Sequence, residues 1–215
     1  VIIFSGKLNN AKGFDKFAAA ISKILNRYED WKAIAIGDEP REKYNFSHKR
    51  LTYTGWIPQD KVLNLYNQSS ITVAPSLWDE PFGRSSLVAG SRGNAVIISK
   101  RGGLPETISE PIFLKKVETK EIYNEIEKLI LDNKLLKKNQ LDNFNNPLHL
   151  ISNNTKIMDD HRAEAINPKK NININLNKKL KILHVYNRAE KIGGRIYFIS
   201  TGKKIENGLI RLGHD

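Results

Sequence analysis

Two loops of this 215-residue chain combine acidic side chains with glycines in an order that suits a sugar joined to a diphosphate. Residues 79–83 (Asp-Glu-Pro-Phe-Gly) follow an apolar run at 71–75, and residues 102–106 (Gly-Gly-Leu-Pro-Glu) follow another at 95–99. Both loops therefore come after predicted strands, and ligands of open α/β sheets bind at the carboxyl ends of strands. Such loops can offer backbone N–H groups to phosphates and carboxylates to sugar hydroxyls.

Two lysines stand between the first predicted strand and the first predicted helix. Lys7 and Lys12 lie five residues apart in this loop, which ends at a helix N-terminus that already favours phosphate. Together they could clamp a diphosphate and stabilise it as it leaves. The alternative is that both are solvated loop lysines, because charged side chains are mostly exposed.

Apolar runs and helical patterns alternate along the first 131 residues, and this alternation predicts an α/β fold. We expect a Rossmann-like parallel sheet with helices on both faces. The predicted strands cover 1–4, 31–36, 51–54, 71–74 and 95–99, and the predicted helices cover 14–25, 58–66, 85–90, 118–131, 134–141 and 148–162.

The pattern of the chain changes after residue 166. Residues 167–178 are rich in Lys and Asn and are interpreted as a linker. A strand-like run at 180–185, a Gly pair at 193–194 and a helical pattern through 212 then begin a second unit at 179–215. Because the chain starts at Val1 rather than Met, we expect it to be a fragment of a larger protein.

Composition narrows the classes of partner. The net charge is +12, which indicates either a solvated lysine-rich surface or attraction to phosphate groups, an anionic membrane surface or nucleic acid. Nucleic acid is the least supported, since the lysines are dispersed and no nucleic-acid-binding motif is present. The chain has no cysteine, its five histidines do not stand at metal-ligand spacings, and no apolar run reaches the roughly 20 residues that span a bilayer.

Taken in order, these loops resemble the C-terminal domain of GT-B-type retaining glycosyltransferases of family 4. The resemblance covers residues 1–166 and includes Ser-Gly-Lys-Leu at 5–8, with Lys7 where the family has Arg. It continues through Lys-Gly at 12–13 and Tyr-Thr-Gly-Trp-Ile at 53–57. Ala-Pro-Ser at 74–76, Glu-Pro-Phe-Gly at 80–83 and Arg-Gly-Gly-Leu-Pro-Glu at 101–106 complete the series. Residues 179–215 resemble the start of a GT-B N-terminal domain, so a tandem enzyme is expected.

The resemblance implies transfer of a sugar from a nucleotide-diphosphate donor to an acceptor, with retention and without a metal or other cofactor. It also implies a cytoplasmic enzyme that works with an N-terminal acceptor-binding domain, and we expect this fragment alone to bind donor weakly and not to turn over. An anionic membrane surface or a lipid-linked acceptor is a further expected partner. The implied catalytic residues are Lys7, Lys12 and Glu80, and the implied donor contacts are Gly6, Gly55, Trp56, Ile57, Pro81, Phe82, Gly83, Arg84, Val88, Gly102 and Gly103.

Several of these residues also have structural interpretations. Glu80 could cap the following helix, and Phe82 is better suited to packing, its backbone N–H being the expected donor contact. Trp56 could be a core or lid residue, and Arg84 a surface residue. Gly102 and Gly103 could form an ordinary loop.

One position departs from the family pattern. Val88 stands where the family has a second Glu that binds the ribose hydroxyls, and a valine cannot accept those hydrogen bonds. Loss of a charged hydrogen-bond partner costs about 1.5–3 kcal/mol, or one to two orders of magnitude in donor affinity. The ribose is then held in another way, or the chain is a non-catalytic nucleotide-binding module. A dinucleotide-binding oxidoreductase lacks support, because no Gly-x-Gly-x-x-Gly follows the first strand.

Overall fold

The computed structural model describes residues 1–42, 44–148 and 151–166. Its strands are β1 (Ile2–Ser5), β2 (Ala33–Ile36), β3 (Leu51–Gly55), β4 (Ile71–Ala74), β5 (Ala95–Ser99) and β6 (Ile112–Leu114). Its helices are α1 (Phe14–Arg27), α2 (Gln59–Asn67), α3 (Arg84–Ser91), α4 (Thr119–Leu131), α5 (Asn133–Asn145) and α6 (Ile151–Ile166). The chain divides into two compact units, Val1–Ile157 and Met158–Asp215, of which the first carries every element from β1 to α5.

The strands form one parallel sheet in the order β3-β2-β1-β4-β5-β6. From β1 the chain moves outward through β2 and β3, then returns to place β4, β5 and β6 on the other side of β1. The loops that follow β1 and β4 therefore leave in opposite directions, which opens a crevice at their carboxyl ends. The parallel α/β fold predicted from the alternation of elements is confirmed.

Both faces of the sheet are covered, which explains why its strands are continuous apolar runs. Phe4 of β1 packs against Phe14 and Phe17 of α1, with ring centroids 5.1 and 5.2 Å apart. Its neighbour Ile3 points to the opposite face and joins a second cluster that includes Tyr66 of α2. Full burial of each such side chain stabilises the fold by about 1.5–3 kcal/mol. The two clusters hold the strand ends, and therefore the loops after them, in fixed positions.

The sequence pattern missed β6 and misplaced some helix ends. β6 has only three residues, too few for a periodic signal, and it forms because it pairs with β5 in the register Ile97↔Ile112 to Ser99↔Leu114. The helix predicted at 148–162 is observed at Ile151–Ile166. The predicted linker at 167–178 and the predicted second unit at 179–215 lie outside the described residues.

A buried amide ties the start of β5 to its surroundings. The Asn94 side chain is fully buried, accepts hydrogen bonds from Ser69 (2.5 Å) and Thr72 (3.1 Å), and donates to the Tyr66 carbonyl (2.9 Å). The Asn143 side chain of α5 donates to the Asn94 carbonyl at 3.1 Å. Because a buried polar group is costly without partners, this network specifies how α2, β4, β5 and α5 meet.

Candidate active site

A cavity of about 830 Å³ opens at the crevice between the carboxyl ends of β1 and β4. Its walls come from the loops after these strands, from α2, and from the segment that begins α3. Gly6 follows β1, and Ser76 follows β4, so both lie where the two halves of the sheet diverge. The lining residues that carry polar or charged side chains are Ser5, Lys12, Gln59, Tyr66, Ser76, Glu80, Arg84 and Ser85.

Lys12 and Glu80 meet inside this cavity. The Lys12 ammonium donates a hydrogen bond to the Glu80 carboxylate, with 2.5 Å between Nζ and Oε1. The Lys12 side chain is 30% exposed and the Glu80 side chain only 12%, so the pair is partly shielded from water. The cavity thus presents a cation and an anion side by side, and each can bind a different part of one ligand.

Local structure positions Lys12. It ends a single 3-10 turn, Asn10–Lys12, in which the Asn9 side chain accepts a hydrogen bond from the Lys12 N–H at 3.0 Å. Gly13 follows with φ 69°, and a Cβ there would lie 2.0 Å from the Pro75 carbonyl oxygen. Only glycine permits this turn to pack directly on the loop after β4. The close approach brings Lys12 to the same crevice as Glu80.

The predicted glycine pair supports Glu80 from outside the cavity. Gly102 and Gly103 do not line the cavity; they pack beneath the loop that carries Glu80. A Cβ on Gly102 would lie 2.2 Å from the Glu80 carbonyl oxygen, and the Gly103 N–H donates to that oxygen at 2.7 Å. These two glycines therefore position an acidic residue. Pro81 is exposed and also stays outside the lining, next to Gly103.

Lys7 lies apart from the pair. It is exposed and does not line the cavity, although Gly6 before it does. Hydrogen bonds from the Arg41 side chain lower the pKa of Glu39 to about 2, and the nearby charge of Lys7 acts in the same direction. In this structure Lys12 therefore lines the cavity and Lys7 does not.

The start of α3 forms another wall. Gly83 precedes the helix with φ 100°, and no side chain caps the first N–H groups of α3, which begins at Arg84. A helix N-terminus of this kind carries a partial positive charge and favours an anion. Phe82, Gly83 and Arg84 all line the cavity.

The remaining wall is apolar. Trp56 lies at the cavity edge with 77% of its surface exposed, so it is not a core residue, and Ile57 beside it is half-buried. Gly55 ends β3 and does not line the cavity. Its carbonyl accepts a hydrogen bond from the Gly37 N–H at 2.9 Å. Val88 lines the cavity, together with Val62, Leu63 and Leu87.

Sequence reasoning missed several lining residues. Tyr66 is almost fully buried at the base of the cavity, and burial raises its pKa to about 12, so its phenol is neutral at physiological pH. Gln59 and Ser85 also line the cavity. Gln59 follows Pro58 at a helix start and Ser85 follows the Gly83 junction, and these boundaries were visible in the sequence.

The described residues lack two further classes of feature, a metal site and a membrane-spanning helix. They contain no group of three or more His, Asp or Glu residues placed to hold a metal ion. Their helices include none with both the length and the apolar character needed to cross a bilayer.

Comparisons with known proteins agree with this architecture. The family model described as "Glycosyl transferases group 1" matches residues 1–143. An uncharacterised glycosyltransferase of Methanocaldococcus jannaschii is 31% identical over 119 residues, which is 52% of this chain and 30% of that protein. The chain spans about a third of the length of such curated relatives.

Solved structures show the same fold. The C-terminal domain of a group 1 glycosyltransferase, LpcC of Francisella tularensis, is 26% identical with a TM-score of 0.60, covering 67% of this chain and 82% of that domain. Anabaena HepE, solved with UDP-glucose, is 18% identical with a TM-score of 0.63 over 75% of this chain and 48% of that one. The matched family model covers well over half of the chain, so the chain belongs to the group 1 glycosyltransferase family and has the Rossmann-like fold of a GT-B domain.

Proposed function

We propose that the cavity binds a nucleotide-diphosphate sugar, and that the chain is the donor-binding part of a retaining GT-B glycosyltransferase of family 4. The observation that carries the proposal is the Lys12–Glu80 pair in the crevice between β1 and β4, beside the N-terminus of α3. A cation, a carboxylate and free backbone N–H groups then face one cavity, and an activated sugar needs all three.

The diphosphate lies between Lys12 and the start of α3. When the sugar is transferred, the bond between its anomeric carbon and the diphosphate oxygen breaks, and negative charge develops on that oxygen. The Lys12 ammonium and the N–H groups near Gly83 stabilise this charge in a partly shielded site. Electrostatic stabilisation of this kind is usually the largest single contribution to an enzymatic rate.

Glu80 holds the sugar. Its carboxylate has further acceptor positions besides the one that Lys12 occupies, and these accept hydrogen bonds from sugar hydroxyls. Because Gly102 and Gly103 fix the Glu80 backbone, the carboxylate has a defined position. The Lys12 contact then places the sugar next to the diphosphate, as transfer requires.

The nucleoside lies against the apolar wall. Trp56 and Ile57 offer a flat, partly exposed surface on which a base can stack, since aromatic rings stack well on bases. Val88 and its apolar neighbours line the adjacent surface. The acceptor is bound by a part of the protein outside these residues, since the chain spans about a third of its relatives' length. We propose that the chain alone therefore binds donor weakly and does not turn over.

Calorimetric titration of the chain with a panel of nucleotide sugars tests this function. We expect one member of the panel to bind with a stoichiometry of one. The nucleoside monophosphate with the same base should bind at least about tenfold more weakly, because it lacks the second phosphate that meets Lys12 and α3. Equal affinity for the monophosphate, or no binding by any member, would refute the proposal.

A second candidate function is a non-catalytic nucleotide-binding module, and Val88 is the observation that favours it. Val88 is half-buried and lines the cavity, where the family pattern has a ribose-binding Glu. An apolar side chain at that position leaves the ribose hydroxyls without a charged partner. The two candidates differ in whether the ribose is held by other groups.

Val88→Glu separates these candidates. If the site has lost its ribose contact, the substitution should raise affinity for the bound nucleotide sugar by about 10- to 100-fold, since a hydrogen bond to a charged group contributes about 1.5–3 kcal/mol. Val88→Leu is the matched control, because it changes size without adding an acceptor. Unchanged affinity in Val88→Glu would instead indicate that other groups already hold the ribose. Calorimetric titration measures the affinities of both variants.

A further inference from the structure

We propose that a second cavity, between the loops that follow β5 and β6, binds a phosphate-bearing ligand. This cavity, here called the basic cleft, has a volume of about 800 Å³. Its charged lining residues are Lys100, Arg101, Lys115, Lys116 and Glu118. Four cationic side chains against one carboxylate make it a concentrated positive site, and none of these five residues lines the donor cavity.

The strand register creates this concentration of charge. β5 and β6 are parallel neighbours, and Ser99 pairs with Leu114 at their carboxyl ends. The next two residues on each strand are cationic: Lys100 and Arg101 after β5, and residues 115–116 after β6. Parallel pairing therefore places two basic dipeptides side by side. Like charges on neighbouring strand ends repel one another, and a bound anion relieves that repulsion.

Nearby protein groups offset only part of the charge. Lys100 lies over the Phe113 ring, 4.7 Å from its centroid, and Arg101 lies 3.8 Å from the Asp79 carboxylate, with both side chains at least half exposed. Among the described residues, no ion pair is formed by Lys115 or Lys116. Within this part of the chain, the ammonium groups of Lys115 and Lys116 thus line the cleft without a carboxylate partner.

The acidic groups around the cleft do not neutralise it. Glu118 lines it as the residue before α4. The Glu121 carboxylate accepts a hydrogen bond from the Lys115 backbone N–H at 3.3 Å, which directs it to the main chain. The four cations therefore outnumber the three carboxylates named, and the cleft keeps a net positive charge that favours an anion.

Phosphate fits this arrangement better than a single carboxylate. A phosphate monoester carries a charge of about −1.5 to −2 near neutral pH and three acceptor oxygens. An Arg fork and Lys ammonium groups together can satisfy several oxygens at once. Two sources share this chemistry: a soluble phosphate monoester, and the monoester headgroup of an anionic lipid such as phosphatidic acid.

The basic cleft adjoins the loop that carries Glu80. Arg101 interacts with Asp79, and Gly102 packs against the Glu80 backbone, so one short segment separates the cleft from the donor cavity. A phosphate bound in the cleft would lie on the same edge of the sheet as the transferred sugar. The ligand would then be the acceptor, or the membrane that presents the acceptor. This assignment rests on the proposed function, whereas phosphate binding in the cleft does not.

NMR titration with inorganic phosphate tests the cleft directly. In ¹⁵N-labelled chain we expect saturable shifts of the Lys115 and Lys116 amide resonances. The double substitution Lys115→Glu/Lys116→Glu should weaken this binding at least about tenfold. The matched control Lys137→Glu/Lys138→Glu makes the same charge change on the exposed face of α5 and should retain it. In a second variant, Lys115→Gln/Lys116→Gln, we expect phosphate binding to weaken as well, although the charge is removed rather than reversed.

Vesicles identify the source of the phosphate. If phosphate binding and sedimentation with phosphatidic acid vesicles are both lost in Lys115→Glu/Lys116→Glu but kept in the control, the ligand is a lipid headgroup. Phosphate binding without selective vesicle binding indicates a soluble ligand. The proposal is overturned if phosphate gives no saturable shift. It is also overturned if Lys115→Glu/Lys116→Glu and the control Lys137→Glu/Lys138→Glu weaken binding equally. The Gly6 and Gly83 resonances report donor binding separately, upon addition of a nucleoside diphosphate.

Discussion

Replacing Lys12 by methionine should lower the affinity for a nucleoside diphosphate by about 10- to 100-fold. The ammonium group lies in the cavity with its side chain only 30% exposed, and its loss removes a charge-assisted contact of about 1.5–3 kcal/mol. It also leaves the Glu80 carboxylate, only 12% exposed, facing the diphosphate without its cationic partner. Repulsion between that carboxylate and the ligand adds to the loss. Calorimetric titration with the diphosphate that binds the unmodified chain measures the effect.

The matched control for this experiment is Lys23→Met. Lys23 is exposed on α1 and does not line the cavity, so its removal changes the net charge equally without touching the site. We expect an affinity within about twofold of the unmodified chain, since distant exposed charges are screened. If Lys12→Met binds the diphosphate as tightly as this control, Lys12 does not contact the leaving group and the mechanism proposed for it is wrong.

Gly102→Ala should damage both stability and donor binding. Gly102 has φ 53°, a region that costs an alanine about 1–2 kcal/mol. The added Cβ would also lie 2.2 Å from the Glu80 carbonyl oxygen and 2.6 Å from its nitrogen, and relief of such overpacking costs about 1–3 kcal/mol. We therefore expect the free energy of unfolding to fall by about 2–5 kcal/mol. Donor affinity should fall at least about tenfold, because the loop shift moves Glu80 away from Lys12.

Gly93→Ala separates backbone strain from the overlap. Gly93 has φ 77°, but a Cβ there meets only the Phe144 side chain at 3.9 Å, an ordinary contact. In this variant the free energy of unfolding should fall only by the backbone strain, about 1–2 kcal/mol, and the donor affinity should be unchanged. Urea denaturation followed by circular dichroism gives the stabilities, and calorimetry gives the affinities. Equal stability losses in the two variants, with donor binding intact in both, would show that Gly102 does not position Glu80.

Much of the fold was accessible from local patterns. The spacing of Phe14, Phe17 and Ile21 predicted one buried face of α1, and all three are buried. Such patterns work because the helical and strand repeats act over a few residues, which the sequence displays directly. β6 was not predicted, because its three residues become a strand only through pairing with β5.

The candidate site likewise has residues that the sequence indicated and contacts that only packing decided. Residue type and position after a strand indicated Lys12, Glu80 and Gly83, and all three line the cavity. Residue type alone could not separate Lys12 from Lys7, because both are lysines of one loop and only the packing of the 3-10 turn on Pro75 sends one of them inward. Nor could it show that Gly102 packs against the Glu80 backbone and lies outside the cavity lining.

The order of residues along the chain therefore predicted most of the strands and helices, though not β6, and indicated which loops meet at the cavity. The folded chain alone established that Lys12 and Glu80, 68 residues apart, form one ion pair, and that two basic dipeptides meet beside it. The physical reason is that secondary structure depends on neighbours within a few residues. Strand order and register depend on the packing of the whole sheet, and they decide which strand ends share a crevice.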